Sequence, residues 1–558
     1  IKGEIRQARI YSTAFGIYEL ELNGKKMGND YFAPGYTSYK HQLQYQMYDI
    51  TEELRKQNQL VAVVGGGWAA GSYTYKRMNR IYAKRQAFLG EIHILYKDGT
   101  QEIISTDETW QVTENGNFRE AEFYDGEVYD ATVNLEKASF HNASIEKVKI
   151  RPQLLAQYGS LVKAHEQFEP ISCQISPSGM LIYDFGQNMA GVIQADIQGR
   201  AGERIVFHHA EVLLDGELYT KPLRSARQQA VYICKEGEQK YSPRMTYMGF
   251  RYVGVSGIPV DRIKLKAVAL YSDLPENGEF SCSEPMLDKL QSCIEWSAKS
   301  NFVDIPTDCP QRDERLGWTG DAQVFCTTAG YHMDTRAFYH KFLRDLRSDQ
   351  KRNHGGAAIY LPNAFPGLTA GIWSDVAAFM PKMLYDYYGS KEELAANYPL
   401  MKDWVDYVYR QDCSRGKKNL YDFGFQFGDW LALDGATEQS TFGRTDNGYV
   451  CSMYYWASTR YVADAAEALG LAEASEYADR AEDIKEAILS EYFTSSGRLA
   501  VDTQTGYLVA LKFGIYKDKQ KVIDGLKNRM KQDLNRLKGG ICGLHHDELC
   551  ACRKRYGR

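Results

Sequence analysis

The sequence predicts a multidomain protein with an all-β first half and a mostly helical second half. Before about residue 275, runs rich in Tyr, Val and Ile alternate with Gly, Asn and Asp turns, as in Ile17–Gly28 and Gly249–Gly257. After that point, apolar residues recur at helical spacing. A block of strands followed by a block of helices indicates separate domains rather than one interleaved α/β fold.

Length and composition agree with several packed domains. The chain has 558 residues, of which 44% are hydrophobic and 25% charged, so it can bury a large core. Its net charge of −5 argues against nucleic acid or an anionic membrane as the main partner. The longest apolar runs, such as Gln59–Gly71, are too short and too glycine-rich to span a bilayer.

The expected location is the cytoplasm. The 11 cysteines are odd in number and scattered, and they show neither a disulfide framework nor metal-ligand spacing. No amino-terminal signal region is visible. The sequence begins at Ile1 within a strand-like pattern, so the expectation about location does not cover a leader or strands that precede it.

The helical half begins after an acidic, proline-bearing linker at Ser272–Gly278. Ser283 is the candidate N-cap of the first helix, and Pro285 lies in its first turn. Four later segments keep the helical period: Arg336–Asp349, Tyr398–Gln411, Met453–Gly470 and Glu476–Phe493.

Between the first two predicted helices lies an unusual segment, Asp308–Gln323, with the sequence DCPQRDERLGWTGDAQ. Pro306 and Pro310 hold the chain extended here, so the side chains project from an irregular segment. Crowding of Asp313, Glu314 and Asp321 disfavours ionisation of all three, and burial against Trp318 acts in the same direction, so one carboxyl should have a raised pKa. A carboxylic acid protonated near neutral pH is what a glycosidase needs to protonate a leaving oxygen.

The structural alternative is a helix start, with acids at its positive end and arginines in surface ion pairs. The combination of acids, arginine, tryptophan and flanking glycines favours a functional loop over this alternative.

No other chemistry has comparable support. There is no phosphate-binding loop of the Walker type, and Gly65–Gly71 lacks the setting of a dinucleotide fingerprint. His208–His209 and His545–His546 have nearby Glu or Cys residues but not the spacing of a metal site. We therefore expect no metal and no cofactor. A structural calcium ion on a β-sandwich is possible in principle, but no ligand set indicates one.

The longer run NFVDIPTDCPQRDERLGWTGDAQVF, Asn301–Phe325, resembles the characteristic segment of bacterial α-L-rhamnosidases of glycoside hydrolase family 78. Gly16–Tyr39 resembles the amino-terminal β-sandwich of that family. Tyr183–Leu213 and Met245–Gly257 resemble its second β-sandwich. The likeness extends from the first residues to about Gly543.

This resemblance implies two amino-terminal all-β sandwich domains followed by an all-α (α/α)6 toroid barrel that is incomplete in this chain. The expected divisions are a galactose-binding-like sandwich at 1–165, a concanavalin-like sandwich at 166–273, the partial catalytic barrel at 277–543, and a tail at 544–558.

The resemblance also implies an inverting hydrolase that removes terminal α-L-rhamnose from rhamnose-containing glycosides or oligosaccharides. Glu314 is the expected general acid. The residues expected to contact the sugar are Asp308, Arg312, Asp321, Trp318, Trp373 and Trp430. An indole face suits the apolar C–H face and the methyl group of rhamnose. For Trp430, a place in the core is an equal alternative. The natural aglycone and the oligomeric state stay open.

An inverting mechanism also needs a second carboxylate as general base. In the family this is a glutamate in the later part of the barrel, and we expect it to be absent from this chain, with little or no turnover as the result. Leu544–Arg558 loses the helical apolar period, and a one-base shift would restore it. We therefore hypothesise that the reading frame is lost just after Gly543.

Two alternatives stay open. The first is a carbohydrate-binding chain without catalysis. The second is another helical-toroid enzyme, such as a glycosidase for a different sugar or a disaccharide phosphorylase, whose phosphate dependence would reveal it.

Overall fold

The computed structural model describes residues 1–148, 151–363, 367–437 and 439–543. The chain divides into two compact units, Ile1–Leu316 and Gly317–Arg558. The first unit is rich in strands and the second in helices. The tail predicted at 544–558, with its hypothesis of a lost reading frame, lies outside the described residues. In the part of the chain that is described, none of the helices combines the length and apolarity needed to cross a bilayer.

The α-helices of the first unit, among its described residues, are α1 at Gly67–Ala70 and α2 at Pro285–Asn301. Its strands, numbered in chain order, are β1 Ile5–Phe15, β2 Ile17–Leu22, β3 Lys25–Lys26, β4 Asp30–Tyr31, β5 Gln42–Asp49, β6 Leu60–Gly65, β7 Ser72–Tyr73, β8 Met78–Asn79, β9 Ala87–Tyr96, β10 Gln101–Ser105, β11 Gln111–Val112, β12 Phe118–Glu122, β13 Gly126–Asp130, β14 His141–Asn142, β15 Gln153–Ala156, β16 Val162–Phe168, β17 Ser172–Ile175, β18 Leu181–Gly199, β19 Arg204–Ala210, β20 Leu213–Leu214, β21 Glu217–Leu218, β22 Gln229–Ile233, β23 Gly237–Tyr241, β24 Met248–Ser256, β25 Ile263–Ser272, β26 Phe302–Val303 and β27 Ile305–Pro306.

The amino-terminal sheet has the strand order β10-β9-β1-β5-β15. Buried and more exposed side chains alternate along much of strand β1, because successive side chains point to opposite faces of the sheet. Ala8, Ile10 and Ala14 lie on the buried face. A second sheet, β3-β2-β6, adds Tyr18 and Leu20 to the same core.

The largest sheet runs in the order β12-β13-β22-β19-β24-β18-β25-β16-β4 and is centred on the long strand β18. Strand β13 pairs in parallel with β22, so Gly126 faces Gln229 and Asp130 faces Ile233. Residues before 165 therefore belong to the second large sheet, across the boundary predicted at 165. Pairing between strands so far apart in the chain leaves no local pattern from which it could be predicted.

Helix α2 lies within the first compact unit. Its Trp296 ring lies 5.4 Å from that of Phe168 on β16, and its Lys299 forms an ion pair of 2.9 Å with Glu166 on the same strand. The predicted N-cap, Ser283, is wrong by one residue. Glu284 has this role, because its carboxylate accepts a hydrogen bond of 3.2 Å from Met286 N.

The second unit contains the short strands β28 at Gly317–Trp318 and β29 at Tyr360–Leu361. Its helices are α3 Thr319–His332, α4 Arg336–Arg352, α5 Val376–Tyr388, α6 Lys391–Cys413, α7 Asn447–Leu469, α8 Ala474–Tyr492, α9 Gln504–Phe513 and α10 Lys519–Gln532. Helices α4 and α6 contain the segments that the apolar period predicted, and α7 and α8 contain theirs except for the last residues, Gly470 and Phe493, which are the C-caps. Neighbouring helices pack in sequence, α5 on α6, α6 on α7 and α7 on α8, and the fully buried Trp404 lies on α6.

Two glycines of the β-rich unit allow a test of backbone packing. Gly202 and Gly257 both have left-handed φ angles, +81° and +91°. A Cβ atom on Gly202 would meet nothing within 4 Å, whereas one on Gly257 would lie 2.1 Å from the Arg204 carbonyl oxygen. Gly202→Ala should therefore lower the free energy of unfolding by about 1 kcal/mol, from backbone strain alone.

Gly257→Ala should cost about 3 kcal/mol or more, because strand β19 must also move. Urea unfolding of the two variants measures the difference. Equal losses would contradict this packing.

Candidate active site

The acidic segment singled out in the sequence forms a closed loop, Asp308–Leu316, which we call the acid loop. The backbone N–H of Asp308 donates to the Leu316 carbonyl at 2.9 Å, and the Leu316 N–H donates to Asp308 Oδ1 at 2.8 Å. The two ends of the loop are thus tied together, and the residues between them project from an irregular backbone. The expected irregular segment is confirmed.

Three of the predicted site residues meet in this loop. Arg312 Nη2 donates to Asp308 Oδ2 at 2.7 Å, and Arg312 Nε donates to Glu314 Oε2 at 3.0 Å. The side chains of Asp308 and Glu314 are 6% and 11% exposed. One guanidinium therefore bridges two nearly buried carboxyl groups, and such charge-assisted hydrogen bonds are among the stronger ones in proteins.

The raised pKa expected for this region belongs to Asp308. Burial raises the pKa of Asp308 to about 6, the charge of Glu314 acts in the same direction, and Arg312 opposes both. The crowded set predicted from the sequence was Asp313, Glu314 and Asp321, and it did not include Asp308. The spacing of acids along the chain could not reveal that Asp308 would be the one desolvated by burial.

Donor atoms of Asp308, Cys309 and Glu314 all lie within 4.8 Å of one another, as metal ligands would. The positive charge between the two carboxyl groups is already supplied by Arg312. Burial raises the pKa of the Cys309 thiol well above its usual range, which disfavours the thiolate that binds metals. The donor set thus suits an arginine-bridged acid pair better than a metal ion.

Residues next to distant strands hold the backbone carbonyl of Glu314 and the side chain of Arg315. Tyr124 donates its hydroxyl to the Glu314 carbonyl at 2.8 Å. The Arg315 guanidinium lies over the Tyr247 ring, 4.6 Å from its centroid, and donates to the Tyr247 carbonyl at 3.0 Å. Arg315 has a φ of 51°, a conformation rare for residues other than glycine. Sequence analysis missed Tyr124 and Tyr247 because both lie far from the loop in the chain.

The predicted tryptophans of the second unit converge on Phe427, and we call these four residues the aromatic cluster. Ring centroids lie 6.0 Å from Phe427 for Trp318, 4.4 Å for Trp373 and 5.6 Å for Trp430. The three tryptophans were predicted as site residues and Phe427 was not, although it lies only three residues before Trp430. Its position between three indoles was not visible in the sequence.

The members of the aromatic cluster differ in exposure. Trp318 and Trp430 are half-buried, whereas Trp373 is 3% exposed. Trp373 lies so close to the start of α3 that a Cβ atom on Gly320 would be 2.5 Å from its indole. The buried Trp373 ring thus packs against Phe427. Its direct contact with a sugar stays a prediction. The remaining predicted contact, Asp321, is exposed in the first turn of α3.

Asp375 fixes the segment that carries Trp373. Its fully buried carboxylate accepts hydrogen bonds from Ile372 N at 2.6 Å, Trp404 Nε1 at 2.7 Å and Ser458 Oγ at 2.6 Å. Burial raises the pKa of Asp375. Ile372, directly before Trp373, has a φ of 73°, which is unusual for a β-branched residue. The hydrogen bonds of Asp375 hold this strained segment between helices α6 and α7.

A second buried carboxylate, Asp429, fixes the segment that carries Trp430. It accepts hydrogen bonds from Thr505 Oγ1 at 2.5 Å and from the backbone N–H groups of Gly540, Cys542 and Gly543 at 2.9–3.2 Å. Each end of the aromatic cluster therefore has an aspartate anchor that sequence analysis did not assign.

Three family models match almost the whole chain. The bacterial α-L-rhamnosidase 6 hairpin glycosidase domain matches residues 275–551, the α-L-rhamnosidase N-terminal domain matches 3–171, and the bacterial α-L-rhamnosidase concanavalin-like domain matches 174–271.

Two curated relatives are similar over most of this chain. An α-L-rhamnosidase of Streptomyces avermitilis is 34% identical over 530 residues, which is 92% of this chain and 50% of the relative. One of Formosa agariphila is 32% identical over 564 residues, which is 97% of this chain and 60% of the relative. The chain thus spans about half the length of the first relative and somewhat more of the second.

Two solved structures share the fold. The native α-L-rhamnosidase from Aspergillus terreus has a TM-score of 0.92 at 32% identity, over 100% of this chain and 66% of its own. The Streptomyces avermitilis α-L-rhamnosidase complexed with L-rhamnose has a TM-score of 0.90 at 32% identity, over 97% of this chain and 53% of its own.

Strand-rich domains followed by a helical six-hairpin domain define the architecture of a glycosidase. The chain belongs to the bacterial α-L-rhamnosidase family, glycoside hydrolase family 78. The predicted family and the predicted order of β-rich and helical domains are therefore confirmed. The assignment of individual site residues stays a prediction.

The raised pKa of Asp308 predicts a pH effect on stability. The ordinary value near 3.8 applies in the unfolded chain, and the folded value is about 6. Over this interval the folded state holds the proton more tightly, so the contribution of Asp308 to the free energy of unfolding is lost as the pH rises. The difference between the unchanged chain and Asp308→Asn should fall by on the order of 1–3 kcal/mol between about pH 4 and pH 7. Urea unfolding across this range measures it, and a difference independent of pH would contradict the raised pKa.

The anchoring role of Asp375 predicts a large stability loss for Asp375→Ala. Three buried donors lose their acceptor, which should lower the free energy of unfolding by about 3–5 kcal/mol. The matched control is Asp386→Ala in helix α5, where an aspartate with a 49% exposed side chain pairs with Lys382. Its cost should stay below about 1 kcal/mol. Thermal unfolding compares the two, and similar losses would show that Asp375 is not an anchor.

Proposed function

We propose that this chain acts as an α-L-rhamnosidase, a glycoside hydrolase that releases terminal α-L-rhamnose with inversion at the anomeric carbon. The observation that carries the proposal is the acid loop, where Arg312 bridges Asp308 and Glu314. Support also comes from a relative at 32% identity whose crystal structure is a complex with L-rhamnose.

In the proposed reaction, Glu314 gives its proton to the glycosidic oxygen as the bond from that oxygen to the anomeric carbon breaks. Water attacks the opposite face of the sugar and loses a proton to a second carboxylate, which must stand about 6.5–9.5 Å from the acid. One glycoside and one water molecule thus give one rhamnose and one free alcohol. Sequence analysis expected this second carboxylate to be absent from the chain, and hydrolysis by the unchanged chain would show that expectation to be wrong.

The arginine bridge gives Glu314 a defined orientation for this step. Its Oε2 atom accepts hydrogen bonds from guanidinium N–H groups, including Arg312 Nε at 3.0 Å. A proton carried by this carboxyl group therefore resides on Oε1. Asp308, held by the same guanidinium, is proposed to bind hydroxyl groups of the sugar together with Arg312.

Within the second unit, the half-buried Trp318 and Trp430 are proposed to pack against the apolar face and methyl group of rhamnose. An indole buries apolar area without needing a hydrogen-bond partner for every atom it covers. Trp373, which packs against Phe427, is proposed to support the surface that Trp318 and Trp430 form. The preferred substrates are then glycosides with a terminal α-L-rhamnose, and the aglycone is left to experiment.

Hydrolysis of phenyl α-L-rhamnoside, whose leaving group needs protonation, by the purified chain tests the proposal. Glu314→Gln should lower kcat by about 10²–10⁴-fold, because the amide cannot donate a proton in place of the acid. Glu238→Gln, an exposed glutamate on strand β23, is the control and should leave the rate unchanged.

Two outcomes would contradict the proposal. A folded chain that binds rhamnose without releasing the aryl group would be a carbohydrate-binding protein. Release that requires inorganic phosphate would indicate a phosphorylase, since phosphate would then replace water as the attacking group.

A further inference from the structure

Arg224 reaches the acid loop from a part of the β-rich unit that sequence analysis did not connect with the site. It follows the short 3-10 turn Lys221–Leu223, at the end of which Leu223 is 3% exposed. Its backbone has φ 56° and ψ −110°, a conformation that residues with a side chain rarely adopt. Strained backbone of this kind persists where the surrounding structure holds it, and it is common at functional sites.

The guanidinium of Arg224 makes three contacts with the two acids before Arg315. Its Nη2 donates to Glu314 Oε2 at 3.0 Å and to the Asp313 carbonyl at 3.1 Å, and its Nε donates to Asp313 Oδ1 at 2.6 Å. A planar fork with several donors fixes both the distance and the plane of the groups that it binds.

Asp313 is the fixed point of this arrangement. Its side chain is 6% exposed, and its Oδ2 atom accepts a hydrogen bond from the Ser225 hydroxyl. The Ser225 carbonyl in turn accepts from Arg77 Nη1 at 2.8 Å. The Asp313 carboxylate therefore binds Arg224 and Ser225, and this structural role differs from the proton transfer proposed for Glu314.

We infer that Arg224 is a positioning residue for the proposed general acid Glu314, with Asp313 as its clamp. The inference rests on the proposed function. Arg312 also binds Glu314 Oε2, but it lies two residues away in the same loop and moves with it. Arg224 lies 90 residues earlier, so it ties the acid to a separate part of the β-rich unit. Together the two guanidiniums occupy Oε2 and direct the transferable proton to Oε1.

Arg224 could instead be a structural clip that stabilises the loop without affecting proton transfer. The dependence of the rate on the leaving group separates these roles. A phenolate with strongly electron-withdrawing substituents departs without help from an acid, whereas an unsubstituted phenolate needs protonation. A misplaced acid therefore slows the second substrate selectively, while a general loss of folded protein slows both equally.

The experiment measures kcat/KM of the full chain on 2,4-dinitrophenyl and phenyl α-L-rhamnoside. Arg224→Ala should lose about 10–100-fold on the phenyl substrate and less than about 3-fold on the dinitrophenyl substrate. Arg224→Lys keeps the charge without the fork and should recover part of the loss. Arg262→Ala, an arginine of the same unit whose guanidinium pairs with Glu203, is the matched control and should change neither rate.

Asp313→Asn provides a second route should Arg224→Ala fail to fold. It weakens the clamp while leaving both guanidiniums in place, and it should show the same selective loss, smaller in size. Equal losses on the two substrates in folded Arg224 or Asp313 variants would overturn the inference. So would unchanged rates in both.

Glu314→Gln, measured in parallel, separates failure of the inference from failure of the proposed function. Selective loss in Glu314→Gln without selective loss in the Arg224 variants overturns only the role of Arg224. The absence of hydrolysis by the unchanged chain, or of selectivity in Glu314→Gln, overturns the proposed function and the inference with it.

Discussion

The guanidinium of Arg312 lies between two carboxyl groups that are almost removed from water. Two such groups would repel each other if both were ionised, and burial alone penalises each charge. Arg312 offsets both costs through bonds of 2.7 Å to Asp308 and 3.0 Å to Glu314. The conformation of the acid loop depends on this bridge, because breaking it would remove the guanidinium that joins Asp308 and Glu314 within one closed loop.

The rest of the β-rich unit can be understood as support for that bridge. Tyr124 binds the backbone carbonyl of Glu314, Tyr247 binds the side chain of the next residue, Arg315, and Arg224 binds the Glu314 side chain. The large sheet provides these contacts because it draws residues from both predicted sandwich domains, Tyr124 next to strand β13 and Tyr247 next to strand β24. The β-rich unit therefore contributes directly to the proposed site, since it supplies hydrogen bonds to the backbone and side chain of the proposed acid.

In the helical unit, the same problem of holding side chains on irregular segments is solved by buried aspartates. Asp375 and Asp429 each accept several hydrogen bonds, and each lies within two residues of a tryptophan of the aromatic cluster. Strained residues, Ile372 and Leu431, flank the same tryptophans. Buried acceptors of this kind allow long segments between helices to present aromatic rings in a fixed arrangement.

Sequence analysis could predict what is local. Asp308, Arg312 and Glu314 lie in one short motif, and the helical period marked α4, α6, α7 and α8 well. It could not predict contacts made across the chain, such as Tyr124 with Glu314, which are 190 residues apart. It also did not single out Asp308 as an acid with a raised pKa, because desolvation of Asp308 depends on tertiary burial. The parallel pairing of β13 with β22 was missed for the same reason.

The central claim is that the arginine-bridged acid loop binds rhamnose through its reacting end. A crystal structure of the chain soaked with L-rhamnose tests it most directly. The account predicts a sugar whose anomeric oxygen lies about 2.6–3.2 Å from Glu314 Oε1, with Arg312 still bound to Asp308 and Glu314. Rhamnose bound elsewhere, with no atom near the acid loop, would contradict it.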